Sequence, residues 1–323
     1  MARLTIATRG SKLALWQAEH VRERILAATP DVAAVSLLVL KTKGDKILDM
    51  PLAKIGGKGL FVKEIEEALL DGRADLAVHS VKDMPMQLPP ELTLGVIMER
   101  EDSRDMLLSS RYATLDELPP GARVGTSSLR RQAQLLMLRP DLTIVPLRGN
   151  VDTRLVKLLT GEFDAIIMAT AGMNRLALFA PHMTILPETA LLPAAGQGAL
   201  GVEYRKDRPN VAQRLAFLNH GDTQLCVLAE RGFLAGLNGG CQTPMAAHAT
   251  IQNGVLTLNA LLCSPEGKRA FHETATIAAS CNQDEAHCLG LALAEKIKQA
   301  GGGSLLQEIF ATPTEPSPET YRA

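Results

Sequence analysis

Apolar residues recur along the chain in two alternating patterns. Short, nearly continuous apolar runs of strand length give way to stretches with apolar positions three and four apart, and the runs then return. Residues 3–8 read as a buried strand ending in Thr8-Arg9-Gly10-Ser11, and Leu13, Trp16-Gln17, His20-Val21 and Arg24-Ile25 mark a helix after it. Residues 35–42 form the next strand. Residues 60–70 form a second amphipathic helix, and 75–81 a strand that ends at Lys82-Asp83-Met84-Pro85. Between strand and helix, residues 43–59 are irregular and rich in glycine and lysine.

The same grammar then repeats. Residues 122–126 are a strand ending in Thr126-Ser127-Ser128, and 129–138 a helix stopped by Pro140. Residues 143–147 are a strand ending in Arg148-Gly149-Asn150; 153–159 are helical, and 163–168 form a strand that runs into a loop at 170–175. Gly-Arg-Ala-Asp-Leu-Ala-Val at 72–78 pairs with Gly-Glu-Phe-Asp-Ala-Ile-Ile at 161–167. Thr8 to Asp75 spans 67 positions and Thr126 to Asp164 spans 38, so the extra length of the first unit falls mostly in 42–60. Strands alternating with helices predict parallel α/β units, and two in tandem predict two lobes around a cleft. In open α/β sheets the ligand lies beyond the carboxyl ends of the strands. Arg9-Gly10-Ser11, Lys82-Asp83, Thr126-Ser127-Ser128, Arg148-Gly149-Asn150 and the 170–175 loop are expected there.

Residues 99–120 read as a charged connection between the lobes, and the strand-like 199–204 as a hinge crossing back to the first. A third unit begins near 211. Its helix is capped by Asp222 or Thr223, followed by hairpin strands around Asn253-Gly254 and Pro265-Glu266-Gly267 and a helix over 284–299. The tail 312–323, with three prolines and no apolar cluster, is predicted to be disordered. The expected fold class is α/β: two doubly wound lobes, 1–98 with 199–216 and 99–198, plus a small α+β C-terminal domain, 217–311.

Composition narrows the function classes. A chain of 323 residues, 46% hydrophobic and 21% charged, is ordinary for a soluble protein of two or three domains. Its longest apolar runs are strand-sized, so no transmembrane helix is expected. The N-terminus opens directly on a strand pattern, leaving no room for a signal peptide. Five cysteines (226, 241, 263, 281 and 288), an odd number without a CxxC pair, argue against a disulfide framework and a zinc site. A cytoplasmic protein without a metal is expected. Net charge is −1, which gives no long-range pull on nucleic acid or membrane. Residues 121–180 differ: eight Lys/Arg, seven of them arginine, stand against four Asp/Glu. Arginine suits bidentate carboxylate or phosphate recognition, so an anionic ligand is expected.

Several stretches carry candidate chemistry, each with a plainer alternative. Thr126-Ser127-Ser128 opening a helix offers N–H groups, hydroxyls and a positive dipole end to an anion, or is simple N-capping. Arg130 and Arg131 oppose that dipole, a cost a bound anion would offset. Asp83 at a strand end beside Lys82 suits stabilisation of a developing cation; a solvated Lys–Asp pair is the alternative. His79 and His248 have no partner spacing and read as structural. Gly56-Gly57-Lys58-Gly59 lacks P-loop spacing and suits a lid, with Lys54, Lys58 and Phe61 in it. Leu237-Asn238-Gly239-Gly240-Cys241-Gln242-Thr243-Pro244 is, taken alone, a helix C-cap whose cysteine is small and buried. Its two glycines can also take positive φ and leave clearance beside the sulfur.

Together these motifs resemble one family. Ala7-Thr8-Arg9-Gly10-Ser11, Val78-His79-Ser80-Val81-Lys82-Asp83-Met84-Pro85, Gly125-Thr126-Ser127-Ser128-Leu129-Arg130-Arg131, Leu147-Arg148-Gly149-Asn150-Val151, Pro193-Ala194-Ala195-Gly196-Gln197-Gly198 and Gly239-Gly240-Cys241-Gln242 before Pro244 resemble the porphobilinogen deaminase (hydroxymethylbilane synthase) family, in order from about residue 3 to 310. The resemblance implies lobes like those of type II periplasmic binding proteins. It implies condensation of four porphobilinogen molecules into hydroxymethylbilane, with loss of ammonia, on a dipyrromethane cofactor joined by a thioether to Cys241. It further implies Asp83 as the catalytic carboxylate. Cofactor contacts would come from Lys82, Asp83, Thr126, Ser127, Ser128, Arg130, Arg131, Arg148 and Gly149. Substrate contacts would come from Arg9, Ser11, Gln17, Ser80, Arg148, Arg154, Arg175 and Gln197, in a monomer. Two features depart from the commoner pattern: Met245-Ala246 stands where many relatives have Ile-Gly, and Asp152 lies between Arg148 and Arg154. The main rival reading is a non-catalytic, two-lobed anion-binding protein, against which the third domain and Cys241 count. A cysteine-nucleophile hydrolase is more distant, since no histidine lies near Cys241 in sequence.

Overall fold

A computed structural model describes residues 2–42, 62–239 and 243–311. The expected lid residues Lys54, Lys58 and Phe61, the tail and Cys241 lie outside the described residues. The first lobe opens with β1 (Ala2–Arg9), α1 (Lys12–Ala28) and β2 (Val32–Leu40), continues through α2 (Lys63–Leu70) and β3 (Leu76–Ser80), and reaches β4 (Leu92–Ile97). The apolar stripe of α1 buries Ala18, Val21 and Ile25, and its first turn is capped by Ser11, whose Oγ accepts from the Ala14 N–H at 3.3 Å.

The second lobe holds β5 (Asp105–Ser109), β6 (Arg123–Gly125), α3 (Leu129–Leu138), β7 (Thr143–Val145), α4 (Val151–Leu159), β8 (Ala165–Ala169), α5 (Thr170–Leu176) and β9 (His182–Ile185). The chain then returns through β10 (Leu200–Arg205), which lies antiparallel between β3 and β4. The first sheet runs β2-β1-β3-β10-β4 and the second β7-β6-β8-β5-β9. Each therefore has four strands running in one direction and a single antiparallel strand inserted between the third and the last. The repeat seen in the sequence is a repeat of topology.

Two expectations about this region are corrected. The stretch read as a connection contains β5, a fully buried strand paired with both β8 and β9; its five residues are too short to stand out among flanking charges. The 170–175 loop is the helix α5, which begins directly at the end of β8 without a side-chain cap.

The C-terminal domain follows α6 (Pro209–Leu215): α7 (Gly221–Gly236), the meander β11 (Met245–Gln252), β12 (Val255–Cys263) and β13 (Ala270–Ala278), α8 (Gln283–Ile297) and α9 (Gly303–Ala311). The helices α7 and α8 cross closely because Gly232 and Gly290 face each other's backbones; a Cβ on Gly290 would stand 2.0 Å from the Ala229 carbonyl oxygen. His220, not Asp222 or Thr223, caps α7, its Nδ1 accepting from the Thr223 N–H.

At its other end α7 closes with paired bonds, Asn238 N–H to Ala235 O and Gly239 N–H to Leu234 O, the pattern of a Schellman cap. The left-handed residue is Asn238, at φ 52°, not a glycine. Gly239 serves a different purpose: a Cβ there would lie 2.2 Å from the Met245 sulfur, so its bare backbone makes room for Met245, the residue that departs from the commoner family pattern.

Candidate active site

The carboxyl ends of β1 and β3 meet at the lobe junction. Arg9, Ser11, Gln17, Ser80 and Asp83 line a cavity of about 70 Å³, with His79 in its wall. Gln17 is buried and donates from Nε2 to Ser80 Oγ at 2.9 Å, tying α1 to the end of β3. After Ser80 the chain makes one 3-10 turn, Val81–Asp83. That turn buries Val81 and leaves Asp83 exposed at the cleft. Lys82 is partly open to solvent, yet its ammonium sits in a crowded, poorly hydrated position. Burial, helped by Arg131 and Arg130 and opposed by Asp83 and Asp105, pushes it down to about 8.

Across the junction, Ser128 caps α3, accepting from the Arg131 N–H at 3.4 Å. Ser127 donates its hydroxyl to Leu147 O, and the Thr126 hydroxyl accepts from the Ser128 N–H. Arg130 and Arg131 follow, each only 6% exposed. Both guanidiniums grip one carboxylate of the protein itself: Arg130 meets Asp105 Oδ2 and Arg131 meets Oδ1, each at 2.7 Å. Further donors reach backbone carbonyls, Leu192 for Arg130 and Ile167 for Arg131. Burial alone would raise the Asp105 carboxyl, but the two arginines hold it well below the usual carboxylate range. The anion that offsets the unfavourable helix-start charges is thus already built in.

Arg154, at the start of α4, donates to Gly149 O at 2.8 Å. Gly149 takes φ 113°, where a Cβ would strike Thr153. Burial, reinforced by Arg131 and Arg148 and opposed by Asp83, pushes Arg154 down to about 10. Arg148 is half-buried beside it. Asp152 turns away from both and pairs with Lys12 of the first lobe at 2.9 Å. It bridges the lobes. Arg175 donates to Gly198 O at 2.7 Å and lies over the Trp16 ring; burial lowers its guanidinium.

The site thus joins charges from both lobes: Lys82, Arg130, Arg131 and Arg154 act on one another, against Asp83 and Asp105. With Arg148, which also acts on Arg154, five cations stand against two carboxylates. Two family models cover most of the chain: "porphobilinogen deaminase, dipyromethane cofactor binding domain" over residues 4–213 and "porphobilinogen deaminase, C-terminal domain" over 224–299. Curated proteins named porphobilinogen deaminase match over nearly their full length. That of Nitratidesulfovibrio vulgaris is 58% identical over 313 residues, covering 97% of this chain and 98% of its own. That of Lawsonia intracellularis is 55% identical over 307 residues, covering 95% and 98%.

The chain belongs to the porphobilinogen deaminase family.

Among solved structures, the periplasmic aliphatic sulphonate binding protein SsuA from Escherichia coli aligns at TM-score 0.39 and 16% identity, covering 72% of this chain and 69% of its own. The family's cofactor is dipyrromethane, and the donor set fits a group that carries carboxylates: surplus cations, lowered by burial and by one another, surround the Asp105 pair. Within the family reading, the structure gathers the expected Lys82, Asp83, Thr126, Ser127, Ser128, Arg130, Arg131, Arg148, Gly149 and Arg154 along the two facing strand-end clusters. It does not leave Gln197 open to substrate. That side chain is 1% exposed, and its amide is committed to protein groups on both sides.

Two features of the structure are not legible as chemistry in the sequence. Asp105 lies in no recognisable motif; its signal is a carboxylate opening the apolar run Met106-Leu107-Leu108, where a buried charge requires a partner. The histidines read as structural both contact carboxylates from distant segments. His79 Nε2 meets the buried Glu203 at 3.0 Å, and His248 lies 3.0 Å from Glu188 and 3.4 Å from Glu230.

Proposed function

We propose that the chain is a hydroxymethylbilane synthase, a transferase of tetrapyrrole biosynthesis that joins four porphobilinogen molecules head to tail with loss of ammonia. The observation that carries this reading is the excess of enclosed positive charge at the lobe junction, Lys82, Arg130, Arg131 and Arg154 against Asp83 and Asp105. Each porphobilinogen carries an acetate and a propionate, so every added ring brings two carboxylates. Arginine forks suit them. When bound, the dipyrromethane supplies the pyrrole α-carbon on which the chain grows; we assign its thioether to Cys241 on the family motif. Tethering makes each addition effectively intramolecular on the acceptor side.

Asp83 is assigned as the catalytic carboxylate. Departure of the substrate's aminomethyl nitrogen as ammonia leaves positive charge on its pyrrole, and a carboxylate held by the β3 end offsets it in a partly dehydrated cleft. A carbon–carbon bond then forms to the acceptor α-carbon, which loses its proton. Lys82, Thr126, Ser127, Ser128, Arg130, Arg131, Arg148 and Gly149 are assigned to the cofactor side. Arg9, Ser11, Gln17, Ser80, Arg148, Arg154 and Arg175 are assigned to substrate. The insertion of β10 into the first sheet supports grouping 199–216 with 1–98 as one unit, beside 99–198 and 217–311. A cytoplasmic monomer completes the proposal; among the described residues no helix is long and apolar enough to cross a membrane.

Intact-protein mass spectrometry tests the assignment. The purified chain should carry the added mass of a dipyrromethane, absent in Cys241→Ala, and should consume porphobilinogen. A folded, unmodified chain that binds anions but leaves porphobilinogen intact would instead establish the two-lobed binding protein.

A further inference from the structure

One buried amide connects the two halves of the charge cluster. Gln197 lies in the chain returning to the first lobe. Its Nε2 donates to Asp105 Oδ1 at 2.8 Å and to Ser103 O at 2.6 Å, both in the second lobe. Its Oε1 accepts from Lys82 Nζ at 3.3 Å, in the turn that carries Asp83. Asp105 in turn holds Arg130 and Arg131. A continuous hydrogen-bonded chain therefore runs from Lys82 through Gln197 and Asp105 to the arginine pair, crossing the lobe junction. An amide donates at one end and accepts at the other, so only glutamine's orientation here satisfies a carboxylate and an ammonium at once.

We infer that Gln197 and Asp105 are positioning residues, a polar strut that sets the Lys82-Asp83 turn of one lobe against the Arg130-Arg131 pair of the other. Neither touches the reacting atoms. The strut fixes the spacing between the cation-stabilising carboxylate and the anion-holding guanidiniums, and a misplacement of about 1 Å at such a site costs on the order of a hundredfold in rate. The catalytic value of the strut rests on the deaminase reading; its existence as a coupling does not.

The charged groups acting on Lys82 are Asp83 on its own turn and Arg130, Arg131 and Asp105 from the second lobe. Its titration therefore reports the strut. Acetic anhydride labels only the neutral amine, and peptide mass spectrometry of the Lys82 peptide over a pH series yields the midpoint. Gln197→Leu removes the acceptor and should lower the midpoint by roughly one pH unit. Gln197→Glu supplies a carboxylate and should raise it. Asp105→Asn is avoided, because it strands two buried guanidiniums without a counter-charge. A midpoint unchanged in either folded Gln197 variant overturns the inference.

Turnover gives the second readout. In folded Gln197→Leu, kcat should fall on the order of tenfold to a hundredfold with KM nearly unchanged. A raised KM with normal kcat would return Gln197 to direct substrate binding and overturn the positioning role. If the unsubstituted chain consumes no porphobilinogen, the deaminase reading fails, while the Lys82 midpoints still decide whether the strut exists.

Discussion

At the scale of single residues, the site shows how one side chain's value depends on its partners. Asp83 is exposed at the end of a 3-10 turn, and no described hydrogen bond or ion pair in the fold depends on its carboxylate. Asp105, one strand away in the other lobe, is wholly buried and carries two guanidiniums. The two carboxylates should therefore separate function from folding. Asp83→Ala is expected to keep its urea midpoint within about 0.5 kcal/mol of the parent while losing roughly 10²–10³-fold in turnover. Near-normal turnover in a folded Asp83→Ala protein would remove it from the mechanism. Most of the arginine roles follow the same logic. Arg130 and Arg131 have a built-in counter-ion, so a ligand carboxylate joins an occupied cluster and does not fill an empty one. Further positive charge comes from Lys82 and Arg154, both lowered chiefly by burial.

At the scale of elements, α3 works at both of its ends. Its N-terminus presents the arginine pair, and its flank receives the C-terminal domain. The turn between β12 and β13 presses Gly267 onto that helix, where a Cβ would meet Ala133 O at 2.6 Å and Met137 N at 2.8 Å, and Gln132 donates to Pro265 O. Ala133, Leu192, Ala246, Leu261 and Cys263 close an apolar seam beside it. The C-terminal domain is thereby braced against the helix that bears Arg130 and Arg131. Gly267→Ala combines backbone strain at φ 70° with this clash, and should destabilise by roughly 2 kcal/mol or more in urea denaturation. Gly121→Ala is the control: its φ is 77° but nothing lies within 4 Å of an added Cβ, so only the strain, about 1 kcal/mol, is expected. Equal losses in the two variants would show that the docking contact contributes nothing.

At the scale of the whole molecule, the C-terminal domain grips both chain crossings between the lobes through one buried acid. Glu230 accepts two bonds from Arg100, at 2.7 and 2.6 Å, one from the Gly196 N–H at 2.6 Å and one from the Ala249 N–H at 2.8 Å. Arg100 belongs to the outward crossing and Gly196 to the return. Burial alone would raise the Glu230 carboxyl, but Arg100 and His248 hold it down at about 2. Burial alone would lower His248, but Glu188 and Glu230 push it up to about 9 from an ordinary 6.5. A raised histidine contributes stability that is complete below pH 6.5 and is lost as pH rises through 9. The depressed glutamate contributes above its ordinary 4.5 and loses that as pH falls towards 2. Thermal melting of His248→Gln against the parent should therefore differ most below pH 6.5, by an amount on the order of 2–3 kcal/mol, and converge above pH 9. Lys82, depressed by burial, shifts stability the opposite way between about 8 and 10.5 but cancels in that comparison. A difference independent of pH would mean that His248 packs without its charge.

The repeated alternation of strand and helix determined the α/β class and the two-lobed plan, because period and apolar run length are local properties of the chain. Motif order was also legible, since Thr126-Ser127-Ser128 or Lys82-Asp83 keeps its local geometry whatever lies opposite. Only the tertiary structure decided the partners. Arg130 and Arg131 look unpaired until β5 brings in Asp105 from 25 residues upstream of Arg130. Gln197 looks like a cleft residue until the return crossing lays it between Lys82 and Asp105. Asp152 looks like a partner for Arg148 or Arg154, which flank it in the chain, until Lys12 takes it across the junction. Charge pairing acts through space over a few ångströms, and the chain order holds no record of which distant segments are brought that close.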